Sequence, residues 1–107
     1  MPTFTLTNKA MADLKDIGRY TLEHWGREQR NLYLGMLDAS FAQLAANPLT
    51  GKDCSDIRNG YRKFNAGSHV IFYRQKSGDA IEIVRILHGH MDCEPRLCPD
   101  LFFQPGQ

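Results

Sequence analysis

Cysteine is scarce in this chain, and its three thiols, Cys54, Cys93 and Cys98, are odd in number and irregularly spaced. That argues against a disulfide framework and leaves free thiols in a reducing compartment as the simpler reading. Long apolar runs are missing too. No segment approaches the roughly 18–20 consecutive apolar residues that a membrane-spanning helix needs, so no membrane partner is expected. The opening "MPTFTLTNKA" carries neither the basic n-region nor the apolar h-region of a signal peptide, and the expected location is the cytoplasm. An excess of one charge is lacking as well. Thirteen Lys and Arg face twelve Asp and Glu, a net charge of +1 with a pI near 7.8. Dedicated nucleic-acid binders usually lie above about 9, so direct nucleic-acid binding is not expected. Repeats and low-complexity tracts are also absent.

What is present is the composition of an ordinary globule, 42% apolar and 23% charged over 107 residues, which is enough for one domain with its own core. The expected division is a core over residues 1–90 and a C-terminal tail over 91–107. The charge is uneven. From Ile57 to His90, Arg58, Arg62, Lys63, Arg74, Lys76 and Arg85 face only Asp79 and Glu82, a mildly basic region that permits an anionic contact without demanding one.

Hydrophobic periodicity divides the chain. "TFTLT" at Thr3–Thr7 alternates polar and apolar, as a half-buried strand does. Thr7 then suits a helix N-cap. Ala10, Leu14, Ile17, Gly18, Thr21 and Trp25 recur at helical spacing, and Gly26 is placed to end that helix. A second stripe follows at once in Tyr33, Met36, Leu37, Ser40, Phe41 and Leu44, until Asn47-Pro48 stops it. Two amphipathic helices with so short a link must form an antiparallel hairpin. "LTGKDCSDIRNG" reads as loop. Tyr61–Asn65, His69–Arg74 and Ala80–His88 are strand-like and separated by "AGS" and "KSGD", which predicts adjacent hairpins. The last run is apolar on both parities, as in an interior strand. The expected fold is α+β in the order β-α-α-β-β-β, with a helical hairpin packed on a mostly antiparallel four-stranded sheet. The tail has three prolines and an apolar "LFF", and one helical turn at Met91–Glu94 fits it.

"IEIVRILHGHMD" at Ile81–Asp92 carries the candidate chemistry. Its apolar half is a core strand, yet Arg85 interrupts it and His88 and His90 close it. Arg62, Arg74, Arg85 and His88 together could supply the base, acid and cations that metal-independent RNA cleavage requires. Alternatively, Arg74 and Arg85 lie at strand ends or edges, paired with Glu82, Asp56 or backbone carbonyls. His88, His90, Cys93 and Cys98 match no usual zinc spacing, so no metal site and no cofactor are expected.

In order and spacing, "LTNKAMADLKDIGRYTLEHWG" at Leu6–Gly26, "FAQLAANPLTGKDCSDIRNGYRKFNAGSHVIFYR" at Phe41–Arg74 and "IEIVRILHGHMD" resemble the ParE toxins of the ParE/RelE superfamily. The shared pattern is a DL-x-x-I helix ending in W-G, then N-P-x-x-G, D-I-R-x-G-Y-R, G-S-H-x-I-F-Y-R and I-x-I-x-R-I-L-H. The resemblance implies the same β-α-α-β-β-β fold. It also implies a cytoplasmic toxin of a type II toxin–antitoxin module, bound in a hetero-oligomer with a ParD-like antitoxin. The ParE branch inhibits DNA gyrase, whereas the RelE branch cuts mRNA on the ribosome. RelE-like nucleases end their last strand with a tyrosine, a lysine or a His-Tyr pair. This chain has His88-Gly89-His90-Met91 there, and the loop before the second strand has only Lys52 instead of a lysine cluster. The expected function is therefore non-enzymatic gyrase inhibition, with a ribosome-dependent mRNA endonuclease as the alternative. A chain that has lost toxicity and only binds its antitoxin is a third reading. The resemblance assigns the gyrase contact to the tail, at Met91, Arg96, Leu97, Leu101, Phe102 and Phe103. The antitoxin contact falls on apolar residues off the main helix stripes, Tyr20, Leu22, Leu32 and Leu34, with Trp25, Arg58 and Tyr61.

Overall fold

The computed structural model of the chain describes residues 3–55, 59–76, 78 and 80–88. Strand β1 (Thr3–Leu6) leads through Thr7 into helix α1 (Asn8–Trp25). Gly26 alone links it to helix α2 (Arg27–Ala46), and a 3-10 turn at Pro48–Thr50 follows. Strands β2 (Lys52–Asp53), β3 (Tyr61–Ala66), β4 (His69–Gln75) and β5 (Ala80–His88) complete the element order. The strands form one mixed sheet in the order β1-β5-β4-β3-β2. β1 runs parallel to β5, and every other pairing is antiparallel.

The caps are where the sequence puts them. The Thr7 hydroxyl accepts from the Ala10 N–H at 3.0 Å, filling one of the four unmet donors at a helix start. Gly26 has φ 94°, left-handed backbone that any side chain would strain, and its N–H bonds the Leu22 carbonyl while α2 begins immediately. The two helical stripes meet the sheet. Ala10, Ile17, Leu37, Phe41, Leu44 and Ala45 are buried against Ile71, Tyr73, Ile81, Ile83 and Ile86. Trp25 is the exception in its stripe: it stands at the last position of α1 and is 70% exposed.

Two features depart from the sequence expectations. The sheet has five strands, because Lys52–Asp53, inside a segment that reads as loop, pairs with Lys63 and Arg62 of β3. A two-residue edge strand leaves no period to detect, and its partners lie nine and eleven residues on. β5 also carries an irregularity, since Phe72 pairs with Arg85 while Tyr73 pairs with Ile83, which leaves Val84 as an extra residue. The expected helical turn at Met91–Glu94 and the tail over 91–107 lie outside the described residues.

Among the described residues, the edge of β5 beyond Ile83 has no strand neighbour, because β1 ends at Leu6. Side chains and backbone at the start of α1 replace it. Thr7 N–H bonds the Ile83 carbonyl at 3.0 Å, the Thr7 hydroxyl donates to the Val84 carbonyl at 2.8 Å, and an Asp13 carboxylate oxygen accepts from Ile86 N–H at 3.0 Å. Buried backbone groups that lack a ladder must find such partners.

Candidate functional site: a groove beside the helical hairpin

The four residues with candidate catalytic chemistry are not gathered in one place. Arg62 sits opposite Tyr73 and donates to the Gly51 carbonyl at 2.6 Å. Arg74 pairs with Glu82 at 2.8 Å on the solvent-facing end of β4. Arg85 makes a two-pronged contact with Asp13 of α1, Nε to Oδ2 at 2.8 Å and Nη2 to Oδ1 at 3.1 Å. His88 lies at the far end of the sheet, opposite His69. Along β4, His69 and Arg74 are separated by about 16 Å at the strand rise of ~3.3 Å per residue. Alternation also places Arg74 on the face of Phe72, opposite the helices, whereas His69 shares the helix face with Ile71 and Tyr73. Arg74 finds the expected Glu82. Arg85 pairs with Asp13, because the bulge at Val84 brings it to the strand edge beside α1, and Asp56 lies outside the described residues.

A different constellation does converge. A groove of about 890 Å³ runs between α1, the first turns of α2, the β3–β4 turn and the end of β5. Tyr20 and Trp25 line it from α1, and Tyr33, His69, Leu87 and His88 from the other side. Tyr20 is 59% exposed, with its ring stacked on His24 at 3.9 Å between centroids. Asp13 and Asp16 stand on the same wall, so the groove is aromatic and apolar with an acidic border.

Tyr33 organises the far wall. Its hydroxyl contacts His69 Nδ1 at 2.6 Å and accepts from the Ser68 N–H at 2.9 Å. Gly67, with φ 60°, stands first in the two-residue turn, where type II′ hairpins need glycine. A Cβ there would come within 2.8 Å of the Tyr33 ring. The His69 and His88 rings meet edge to face at 5.4 Å. Burial pushes the His69 pKa below its ordinary 6.5, the charge of His88 adds to this, and Asp13 opposes it. A histidine depressed in the fold binds fewer protons there than in the unfolded chain, so its contribution to stability is whole above pH 6.5. It is lost as the pH falls from 6.5 through the lowered native value. Thermal unfolding between pH 7 and 5 is therefore expected to show a slope that His69→Gln flattens.

Of the expected antitoxin contacts, Tyr20 and Trp25 line the groove. Leu22 and Leu32 are exposed outside it. Leu34 packs on the helix-side core, and Tyr61 belongs to a cluster on the opposite sheet face. Arg58 and the tail contacts Met91, Arg96, Leu97, Leu101, Phe102 and Phe103 lie outside the described residues. The sequence reading missed Asp13, Asp16, Tyr33 and His69 as parts of one surface. The one available hint was Tyr33, whose hydroxyl needed a polar partner at the rim of the core. Among the described residues, no group of three or more His, Cys, Asp or Glu could hold a metal ion, and no helix is long and apolar enough to cross a membrane.

Comparison with known proteins agrees with this architecture. A family model described as the ParE toxin of the type II toxin–antitoxin system parDE matches residues 4–93. Toxin ParE1 of Mycobacterium tuberculosis is 42% identical over 94 residues, which cover 88% of this chain and 96% of that protein. Toxin ParE1 of Caulobacter vibrioides is 39% identical over 97 residues, 91% and 99% of the two chains. Toxin ParE of Escherichia coli is 36% identical over 101 residues, 94% and 98%. In three dimensions the fold is similar to a chain of the chromosomal ParDE system from P. aeruginosa. The TM-score is 0.69 at 23% identity, over 82% of this chain and 96% of that one. The chain belongs to the ParE toxin family, the toxins of type II toxin–antitoxin systems.

Proposed function

We propose that this toxin acts by binding DNA gyrase, without cleaving a substrate, and that a ParD-like antitoxin silences it in a cytoplasmic hetero-oligomer. The observation that carries the non-catalytic part is the dispersal of the four candidate catalytic groups. A general base and acid must lie within hydrogen-bond reach of the same substrate, and here Arg74 and His88 occupy opposite ends and faces of the sheet. Two of the three arginines are also held by carboxylates of the protein itself, Arg74 by Glu82 and Arg85 by Asp13, which reduces their charge available to a phosphate.

The groove beside the hairpin supports the antitoxin part. Exposed Trp and Tyr lining a concave surface are the residues that most often anchor a partner. An amphipathic segment laid between α1 and the β3–β4 turn would cover Trp25 and Tyr20 together. The gyrase contact is assigned to the residues from Met91 onward, which the resemblance to the family favours.

Supercoiling of relaxed plasmid by gyrase and ATP tests this reading. Added toxin is expected to abolish supercoiling or trap cleaved DNA, and prior mixing with the cognate antitoxin to restore activity. His88→Ala is expected to keep inhibition within about twofold, since His88 lies outside the segment assigned to the gyrase contact and few residues of an interface carry most of its energy. Cleavage of mRNA in the ribosomal A site, with gyrase untouched and His88→Ala inactive, would instead establish the endonuclease.

A further inference from the structure

Three elements bring one polar side chain each to the far wall of the groove: Tyr33 from α2, His69 from the start of β4 and His88 from the end of β5. A tyrosine hydroxyl has one proton to give and lone pairs to accept with. That of Tyr33 accepts from the Ser68 N–H at 2.9 Å and meets His69 Nδ1 at 2.6 Å. Donating its proton to Nδ1 satisfies both atoms, and this arrangement needs a neutral ring with its own proton on Nε2. A proton added at Nδ1 turns that acceptor into a donor. The hydroxyl must then rotate, and its proton must find another acceptor.

The groups that face His69 give an added charge little support. His88 stands directly opposite on β5, its ring edge to face at 5.4 Å, and its charge opposes a second one. Tyr33 and Gln29 from α2 and Tyr20 from α1 bring hydroxyl and amide groups. Among the described residues, the carboxylates lining the groove are Asp13 and Asp16, both on α1. Asp13 is committed to Arg85 and the Ile86 N–H, and Asp16 stands exposed beside Arg19 at 3.7 Å. Asp13 favours the charged ring, yet burial and the His88 charge outweigh it. His69 is only partly buried in the open groove. A segment laid over Trp25 and Tyr20 removes the remaining water, which makes a charge there costlier still.

We propose that His69 couples occupancy of the groove to pH: the antitoxin closes over the ring in its uncharged form, so acidification loosens the toxin–antitoxin complex. This coupling rests on the reading that the antitoxin occupies the groove. The sign follows from linkage. A group that binds its proton less readily in the complex than in the free toxin must shed that proton on association. Affinity is therefore whole above the titration of His69 in the free toxin, which lies below 6.5, and falls as the pH drops through it.

The titration of the His69 ring in nitrogen-15-labelled toxin, free and saturated with the cognate antitoxin, tests this directly. The comparison is confined to pH values at which the free toxin keeps its native far-UV circular dichroism. The midpoint is expected to move down in the complex by about one pH unit, equivalent to a tenfold loss of affinity across the transition. An unchanged midpoint overturns the coupling. So does a raised one, which would mean that the antitoxin sets a carboxylate against the ring. Dissociation constants at about pH 7.5 and 5.5 give the second readout. The unaltered toxin is expected to lose about tenfold, and His69→Gln about twofold or less, whatever groups the antitoxin itself titrates. Equal losses in the two proteins overturn the coupling. Trp25 separates this result from the reading beneath it. It is the only tryptophan of the chain and lines the same groove, so 5-fluorotryptophan there reports whether the antitoxin is seated. A fluorine signal that antitoxin leaves unmoved at neutral pH overturns the proposed antitoxin contact and the coupling together. A signal that moves while the His69 midpoint stays overturns the coupling alone.

Discussion

Replacing Asp13 by alanine is expected to destabilise the protein by about 3 kcal/mol, within the range seen when one partner of a largely buried, hydrogen-bonded ion pair is removed. The Asp13 and Arg85 side chains are 15% and 16% exposed, so water can only partly replace the lost contact. The carboxylate serves two roles at once, accepting from Arg85 Nε and Nη2 and from the Ile86 N–H. Its removal leaves a shielded guanidinium and an unpaired backbone donor at the edge of the central strand. Asp13→Asn keeps an acceptor for Ile86 and is expected to cost about half as much. Arg85→Met keeps most of the stem volume. In the double variant with Asp13→Ala it should cost less than the sum of the singles, with a coupling of about 1–2 kcal/mol. Denaturant unfolding measures all of these. A loss under about 1 kcal/mol for Asp13→Ala would reduce the contact to an ordinary surface pair. Amide exchange at Ile86 offers a local check, since it should accelerate in Asp13→Ala and less in Arg85→Met.

Gly51→Ala is expected to be at least as damaging, about 3–5 kcal/mol, from overpacking together with the loss of buried hydrogen bonds. Backbone conformation is not the obstacle, because Gly51 has φ −74°. Space is. A Cβ there would strike the Tyr73 hydroxyl, stand 2.7 Å from Tyr73 Cε1 and 2.8 Å from the Lys63 carbonyl oxygen. Tyr73 is fully buried and cannot swing away. Its hydroxyl donates to the Pro48 carbonyl at 2.6 Å and accepts from the Gly51 N–H at 2.8 Å. Arg62 closes the arrangement on the Gly51 carbonyl. Burial raises the Tyr73 pKa, which keeps the phenol protonated and able to donate. This knot ties the 3-10 turn and short strand β2 to the core. Tyr73→Phe should cost about 2 kcal/mol by orphaning two backbone groups. It should also ease the clash of Gly51→Ala, so that the double variant is more stable than the sum of the singles predicts. Strict additivity would show that the crowding lies against Lys63 instead.

Much of the fold was legible in the sequence, for local reasons. Helix starts and stops depend on neighbours within four residues, so Thr7, Gly26 and Asn47-Pro48 could be read directly. The core stripes repeat at the helix period, which is why Leu37, Ser40, Phe41 and Leu44 were recognisable before their partners were known. The hairpins of β3, β4 and β5 followed from short turn-rich links between strand-like runs. Strand β2 was not legible, because two residues among Gly, Lys, Asp and Cys carry no period, and its existence depends on the edge that β3 offers. The candidate site was legible only in pieces. Tyr20 and Trp25 stood out as apolar residues that a helix would expose, but nothing nearby in the chain joins them to Tyr33 or His69.

The sequence by itself determined the elements, their order, the helix-facing core and the resemblance to the ParE toxins, because these rest on patterns within about ten residues. Tertiary structure alone decided which residues meet across the fold. Arg85 found Asp13 seventy-two positions away because β1 ends early and leaves the edge of β5 to α1. The extra residue at Val84 turned a core-strand arginine toward that edge. The four polar groups that looked like one catalytic cluster were distributed by strand pleat and register to two faces and two ends of the sheet. The same packing assembled the groove around Trp25 from four separate elements. Long-range pairing is set by how whole surfaces fit, and no local pattern records it.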